Sequence, residues 1–126
     1  MSPRWIDGSC HCGAVRFQVL LELEALPTAL LCNCSICTKK GILHLIVPPN
    51  QFRLVSGEKA LSTYQFGTKT AVHRFCKNCG IHPFYTPRSH PDRVDINIHC
   101  IDEQIREQFP VQTFDGAHWE EAIHDL

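Results

Sequence analysis

The fold is decided by the sequence CKNCG at residues 76–80 together with the sequence CHCG at residues 10–13. In each stretch a glycine follows two closely spaced cysteines, an arrangement typical of tight turns that direct two thiolates at one metal ion. The glycine tolerates the positive φ that such a turn requires. One turn supplies only half of the ligands of a tetrahedral structural zinc, so we expect both turns to close on one ion. The predicted ligands are Cys10, Cys12, Cys76 and Cys79.

Closing these two turns on one ion would tie the beginning of the chain to its later half. Such a closure replaces part of the hydrophobic core that a small domain lacks. The alternative is that the cysteines are buried or loosely reactive thiols. Paired turns of this kind, in a chain expected to stay in a reducing compartment, favour the metal site.

Length and composition indicate a single folded domain. The chain has 126 residues, of which 44% are apolar and 20% charged, so we treat residues 1–126 as one zinc-binding domain. The formal net charge is −1, without the positive excess that binding to nucleic acid phosphates usually needs. We therefore expect no nucleic acid partner, while a protein partner stays open.

The eight cysteines bear on the compartment. Residues 1–7 contain no apolar segment of the kind found in a secretory signal. The most apolar stretch, residues 19–32, is interrupted by Glu22, Glu24 and Pro27 and cannot span a bilayer. We expect a cytoplasmic protein without a membrane span, in which clustered cysteines bind metal or react as thiols rather than form disulfides.

Short strands separated by turn residues predict a mainly β structure. Apolar residues alternate with polar ones over 15–21, as in a half-buried strand. Further strands are expected at 29–31, 42–47, 52–55, 63–66, 72–75, 81–86 and 94–98. Only the C-terminus has helical spacing, with Asp115 as a candidate N-cap. The residues at that spacing are Trp119, Ala122, Ile123 and Leu126.

A third cysteine group, CNCSIC at residues 32–37, offers three thiolates with no obvious fourth ligand beside them. Three protein ligands and one vacant position are typical of a site that water or a small thiol completes. One alternative is a second structural zinc whose fourth ligand is Cys100 or His99. Another is an unloaded cluster prone to oxidation. On the first interpretation the metal-binding and catalytic residues are Cys32, Cys34 and Cys37.

Two pairs of polar residues are further candidates. Arg88 and Ser89 could hold the carboxylate of a bound ligand, or could form only a turn ordered by the neighbouring prolines. Lys39 and Lys40 could attract an anionic ligand, or could belong to a solvated loop. Two histidines are interpreted as ordinary strand residues, namely His44 and His73.

The order of these motifs resembles the glutathione-dependent formaldehyde-activating family, which includes the zinc domain of centromere protein V. The motifs are C-x-C-G, C-x-C-x2-C, F-C-x2-C-G and F-Y-x-P-R-S, and the resemblance runs from about Gly8 to Trp119. Many family members have histidine where this chain has Asn33. The segments most similar to the centromere protein V branch are 32–40, 46–48, 75–80, 84–89, 99–103 and 114–120.

The resemblance implies a zinc-bound, mainly β "tent" of small sheets (a Mss4-like β-tent) with a C-terminal helix. It also implies that the first four cysteines bind a structural zinc. Cys32, Cys34 and Cys37 would then bind a second, exchangeable zinc that handles glutathione. The implied reaction joins glutathione and formaldehyde into S-hydroxymethylglutathione, a carbon–sulfur lyase activity. Zinc could bind the thiol sulfur or polarise the aldehyde oxygen. The rival functions are a non-enzymatic interaction module and a thiol redox sensor.

Overall fold

The computed structural model describes residues 3–67, 69–101 and 103–123, and strands dominate this part of the chain. The strands are β1 (Arg4–Ser9), β2 (Arg16–Leu21), β3 (Ala29–Cys32), β4 (Leu43–Val47), β5 (Phe52–Ser56), β6 (Leu61–Tyr64), β7 (Val72–Cys76), β8 (Phe84–Thr86), β9 (Val94–Asn97) and β10 (Val111–Phe114). The helices are α1 (Ser35–Lys40), α2 (Glu103–Arg106) and α3 (Trp119–Ala122). The predicted mainly β fold is therefore confirmed. Within these ranges no helix is both long and apolar enough to cross a membrane.

The strands form two sheets. The smaller sheet has three antiparallel strands in the order β1-β2-β5. The larger sheet has seven strands in the order β10-β3-β4-β9-β8-β7-β6. Its neighbours pair antiparallel except β10 and β3, which run parallel and bring the end of the chain beside residues 29–32.

Aromatic side chains from both sheets meet in the core. Phe17 of β2 packs edge-to-face on Phe84 of β8, with ring centroids 5.8 Å apart. Phe52 of β5 contacts both rings, at 5.9 Å from Phe17 and 4.7 Å from Phe84. The two buried rings, Phe17 and Phe84, each stabilise the fold by about 1.5–3 kcal/mol through burial. The two sheets are thus held face to face by apolar contact.

The opposite face of the large sheet is polar. Successive side chains of a strand point to opposite faces, so the core position of Leu45 places His44 and Ile46 on the other side. Tyr85 pairs in register with Asp95 across the neighbouring strands and lies on that same polar face. A buried polar surface therefore covers the middle of the large sheet.

Several strand predictions hold closely. The stretches 15–21, 29–31, 42–47 and 52–55 correspond to β2, β3, β4 and β5 with small changes at the ends. The predicted strand 81–86 is shorter, since only Phe84–Thr86 joins the ladder and Pro83 has no N–H to donate. The strand expected at 63–66 lies instead at Leu61–Tyr64.

The expectation that only the C-terminus is helical was wrong. Helix α1 starts after Cys34 and ends at Gly41, whose φ of 65° closes the last turn in the left-handed conformation. The N–H of Gly41 donates to the carbonyl oxygen of Cys37 at 2.9 Å. A six-residue helix is too short to show a periodic apolar face, so the sequence pattern did not reveal it.

The C-terminal helix is present as a single turn, α3. Asp115 does not cap it as predicted, because a 3-10 turn over Gly116–His118 intervenes and His118 occupies the N-cap. The Asp115 carboxylate instead accepts from Nδ1 of His118 at 3.0 Å. Leu126, the last member of the predicted apolar face, lies outside the described residues.

Candidate functional site

The first cysteine group and the last come together from the two sheets. One pair lies in the turn between β1 and β2, and the other lies at the end of β7 and in the turn that follows. Their four Sγ atoms all lie within 4.8 Å of one another. Gly13 and Gly80, which follow the two turns, have φ of 79° and 78°, as predicted. We call this group the closed cluster: Cys10, Cys12, Cys76 and Cys79.

The spacing of the closed cluster fits zinc. The Sγ atom of Cys12 lies 3.6 Å from that of Cys10 and 3.6 Å from that of Cys76. A tetrahedral site with Zn–S bonds of about 2.3 Å has sulfur–sulfur edges of about 3.8 Å. The backbone N–H of Val15 donates to the Cys10 sulfur at 3.3 Å, which stabilises negative charge there. The residues present therefore form a donor set of the correct size for a structural zinc.

The thiols of the closed cluster cannot all ionise together without a cation. Backbone hydrogen bonds from Cys12 and Ile81 lower the pKa of Cys79 to about 6. At Cys12 a backbone hydrogen bond from Ala14 lowers the pKa, but desolvation and the neighbouring thiols outweigh it and raise the pKa to about 11. A bound metal ion would remove this conflict by neutralising the thiolates.

The middle group forms a second, smaller cluster at the junction of β3 and α1. Its three Sγ atoms also lie within 4.8 Å of one another. Within the described residues, no histidine, cysteine, aspartate or glutamate joins them as a fourth ligand. We call this group the open cluster: Cys32, Cys34 and Cys37.

Neither predicted fourth ligand reaches the open cluster. The Cys100 sulfur lies 3.9 Å from the carbonyl oxygen of His82, and burial raises its pKa to about 12, so it is held as a neutral thiol. His99 lies in a 3-10 turn and its N–H donates to Asn97. The alternative of a second four-ligand site built on either residue is therefore not supported.

The surroundings of the open cluster favour the thiolate form of one of its three thiols. Hydrogen bonds from the Cys32 and Cys37 sulfhydryls lower the pKa of Cys34 well below its ordinary value. The same hydrogen bonds raise the pKa of the other two cysteines. Three thiols sharing one charge are a soft, anionic donor set of the kind that zinc prefers.

A short loop covers the open cluster. The side chain of Asn33 donates to the Asp115 carboxylate at 2.9 Å and accepts from the backbone N–H of Ala117, also at 2.9 Å. These two bonds fasten the loop between β10 and α3, residues 115–118, onto the cysteines. We call this segment the cover loop. Gly116 lies so close to Cys32 that a Cβ at this position would overlap the sulfur. The loop therefore defines one wall of the site, and only glycine leaves room for the thiol.

The open cluster faces a cavity of about 460 Å³. Its walls come from the cover loop, from α1 and from the polar face of the large sheet. A second cavity of about 410 Å³ also reaches Cys32 and Cys37. The closed cluster lines neither cavity. The open cluster is thus the one of the two that a small molecule can approach through a defined space.

The predicted ligand-binding pair lies at the rim of the first cavity. The Arg88 guanidinium stacks over the ring of Trp119 at 3.7 Å and bonds to the Glu120 carboxylate at 3.2 Å. The Ser89 hydroxyl lies 2.9 Å from Nδ1 of His90. Both residues line the cavity, so a role in holding a carboxylate stays a prediction. Glu120 now occupies the position that such a carboxylate would take.

Lys40 does not belong to a solvated loop. It lies in the last turn of α1, and its Nζ donates to Nδ1 of His82 at 2.9 Å. Its ammonium group also lies 5.3 Å from the centre of the Phe75 ring. Burial lowers its pKa. Its contacts with His82 and Phe75 hold the side chain in place, so it is not a mobile group that could reach out to an anionic ligand.

Sequence reasoning missed a histidine–carboxylate pair on the cavity wall. Nδ1 of His44 lies 2.8 Å from the Asp95 carboxylate and 3.3 Å from the hydroxyl of Tyr85. His73 lies on the same wall, with its ring stacked on Tyr85 at 4.6 Å. These histidines are buried cavity residues and not ordinary strand residues. No local signal was available for the pair, since His44 is the single polar residue of β4 and looks like any histidine that alternates within a strand.

Comparison with known proteins agrees with this geometry. Residues 5–117 match the family model of the glutathione-dependent formaldehyde-activating enzyme. The chain belongs to this family. A crystal structure of a Rhodobacter sphaeroides protein is similar across 85% of this chain and 100% of that chain, with 34% identity and a TM-score of 0.71. The match covers both cysteine clusters, so family membership and the observed donor sets agree.

Proposed function

We propose that the protein binds two zinc ions and acts as a carbon–sulfur lyase on the adduct of a small thiol with an aldehyde. Glutathione and formaldehyde are the substrates favoured by the family name. The closed cluster would hold a structural ion and the open cluster an exchangeable one. The observation that carries this proposal is that the open cluster has three thiols, faces a cavity and lacks a fourth ligand among the described residues.

The chain's own residues would bind and orient the thiol substrate. Its sulfur would approach Cys32, Cys34 and Cys37 from the larger cavity, while the cover loop excludes water from one side. Arg88 and Ser89 at the rim are the candidates for holding a peptide carboxylate of glutathione, with Arg88 leaving Glu120 to do so. When bound, zinc supplies either a cation for the sulfur or a Lewis acid for the aldehyde oxygen.

The finer assignments belong to the same proposal. We place the chain nearest the centromere protein V branch, on the segments quoted above, and expect it to work in the reducing cytoplasm, where thiols stay available. Three thiols facing a cavity favour a small-molecule site over a purely structural zinc module. A protein partner is compatible both with a small-molecule site and with a structural zinc module.

Native mass spectrometry with and without reduced glutathione tests the proposal. We expect two zinc ions per chain and a retained glutathione. A chain carrying one zinc and no adduct would contradict the catalytic proposal and favour a non-enzymatic module. A reversible disulfide within the open cluster after mild peroxide, without bound glutathione, would favour a redox sensor instead.

A further inference from the structure

The wall of the larger cavity carries polar atoms that the described residues leave unsatisfied. Nε2 of His44, Nδ1 of His73 and Oδ1 of Asp95 are buried and have no hydrogen-bond partner within that part of the chain. The exposed fractions of the three residues are 3%, 3% and 2%. A buried polar atom without a partner costs about 1–3 kcal/mol, so a fold retains several of them together only for a reason. All three residues line the cavity that contains the open cluster.

The state of His44 follows from its contacts. A carboxylate can only accept, so Nδ1 of His44 carries the hydrogen in its 2.8 Å bond to Asp95. In the neutral imidazole, Nε2 is then an acceptor with a free lone pair. The carboxylate also stabilises the positive charge that the ring gains if Nε2 takes a proton. Asp95 is 2% exposed, so little solvent competes for this bond.

His44 differs in this respect from the other buried histidines. His73 stacks on Tyr85 at 4.6 Å and has no carboxylate bonded to its ring in the described structure. His82 accepts from the Lys40 ammonium, and burial together with this positive charge lowers its pKa to about 2. His82 also lies outside the cavity lining. Among the residues that the structure describes, only His44 combines an orienting carboxylate with an unpartnered nitrogen on the cavity wall.

We propose that His44 is the acid–base residue of the open site and that Asp95 positions it. This inference rests on the proposed thiol–aldehyde function. In the forward direction, Nε2 takes the proton of the thiol S–H. The freed sulfur electron pair forms the C–S bond to the aldehyde carbon, and the C=O π pair moves to oxygen. That oxygen takes the proton back from Nε2, so the thiol and the aldehyde become the hydroxymethyl thioether with no atom left over.

Several charged or titratable groups face His44. From β9 it meets Asp95, and from β8 it meets Tyr85, whose pKa burial raises so that the phenol stays neutral. The other charged or titratable groups of the cavity lining are His73 on β7, Arg88 and the open cluster beside α1. The proposed step starts from the neutral form of His44, in which Nε2 is free to accept the thiol proton.

The first test is the effect of His44→Gln on the zinc-loaded protein. We expect the acceleration of S-hydroxymethylglutathione formation over the protein-free reaction to fall about 100-fold or more, the usual range for loss of a general base. His82→Gln is the matched control, since it alters an equally buried histidine outside the cavity and should leave the rate unchanged. Equal losses in both variants would reveal a folding effect and overturn the inference.

The second test counts protons and does not depend on turnover. Isothermal titration of glutathione into the zinc-loaded protein, repeated in buffers of different ionisation enthalpy, gives the protons released on binding. The wild-type protein should release fewer than His44→Gln, because Nε2 keeps the thiol proton. In Asp95→Asn the number of protons released should rise toward that of His44→Gln, because the carboxylate that fixes the hydrogen on Nδ1 of His44 is lost.

The outcomes separate the two proposals. Absence of any acceleration by the wild-type protein would overturn the proposed function and this inference together. Wild-type acceleration that His44→Gln retains, with unchanged proton release, would overturn only the role of His44. Both proposals are supported if His44→Gln loses the acceleration and changes the proton release while His82→Gln keeps the normal rate.

Discussion

The two cysteine clusters offer the same kind of ligand but are built from different parts of the chain. The closed cluster draws its thiols from both sheets, and Cys76 within it is fully buried with 0% exposure. The open cluster draws its thiols from one short segment and faces a cavity. An ion in the first would connect distant parts of the chain, whereas an ion in the second would connect residues that are already neighbours. The origin of the ligands therefore fits the structural role that we propose for the closed cluster and the reactive role that we propose for the open one.

The largest expected effect is on the closed cluster. Cys76→Ser should unfold the protein or nearly so, because it forfeits much of a zinc-binding free energy on the order of 10 kcal/mol. Circular dichroism melting and zinc content measure this loss. Cys100→Ser is the control, as it alters a cysteine outside both clusters and should cost only about 1–3 kcal/mol. Native melting of Cys76→Ser would contradict the four-thiol assignment.

The second prediction is the opposite for the open cluster, where a substitution should remove function but keep stability. Cys34 occupies the N-cap of α1, a position that serine favours, so Cys34→Ser should keep the helix and the melting temperature within a few degrees. It should nevertheless lose one zinc and the thiol-dependent turnover. Metal analysis, melting and turnover on the same sample decide the matter. Unchanged turnover would remove the open cluster from the mechanism, and global unfolding would erase the contrast between the clusters.

A third change tests how closely the cover loop fits. Gly116→Ala places a Cβ against the Cys32 sulfur, and such overpacking costs about 1–3 kcal/mol. The affinity of the open cluster for zinc should fall about tenfold or more, while the closed cluster keeps its ion. Competition with a chromogenic chelator measures both affinities. Ala117→Ser, at the exposed next residue, is the control. If the open cluster of Gly116→Ala binds zinc as tightly as that of the wild type, the cover loop moves enough to accommodate the added methyl group.

The smallest effect concerns the fastening of that loop. Asn33→Ala removes the bonds to Asp115 and Ala117, worth about 0.5–1.5 kcal/mol each. Glutathione affinity should weaken about threefold to tenfold by calorimetry, with faster amide exchange at Ala117. Asn50→Ala, in an exposed turn before β5, should change neither. Amide exchange at Ala117 as slow as in the wild type would mean that Asn33 does not hold the loop.

The cysteine groups and most strands could be predicted from the sequence because both produce local signals. Turns such as CKNCG and alternations such as residues 15–21 are readable within a few positions. The sequence did not reveal β10, which is exposed along most of its length and pairs with β3 only through the tertiary fold. Helix α1 was not predicted because its six residues make fewer than two helical turns, too few to show a periodic apolar face.

The candidate site was predicted only in part for a similar reason. The three cysteines of the open cluster are adjacent in sequence, so their proximity was expected. The pair of His44 and Asp95 is different, because 51 positions separate the two residues along the chain. Only the pairing of β4 with β9 brings them within hydrogen-bond distance. No local pattern distinguishes such a histidine from one that merely alternates within a strand.

The parallel pairing of β10 with β3 has a consequence for the order of assembly. Phe114 pairs with Cys32, so the cover of the open cluster comes from a segment that is synthesised after the cysteines of both clusters. All ligands of the closed cluster are synthesised well before it. A pairing between segments so distant in sequence is also slow to form. During synthesis the closed cluster can therefore bind an ion first, while the thiols of the open cluster remain uncovered until β10 has been made.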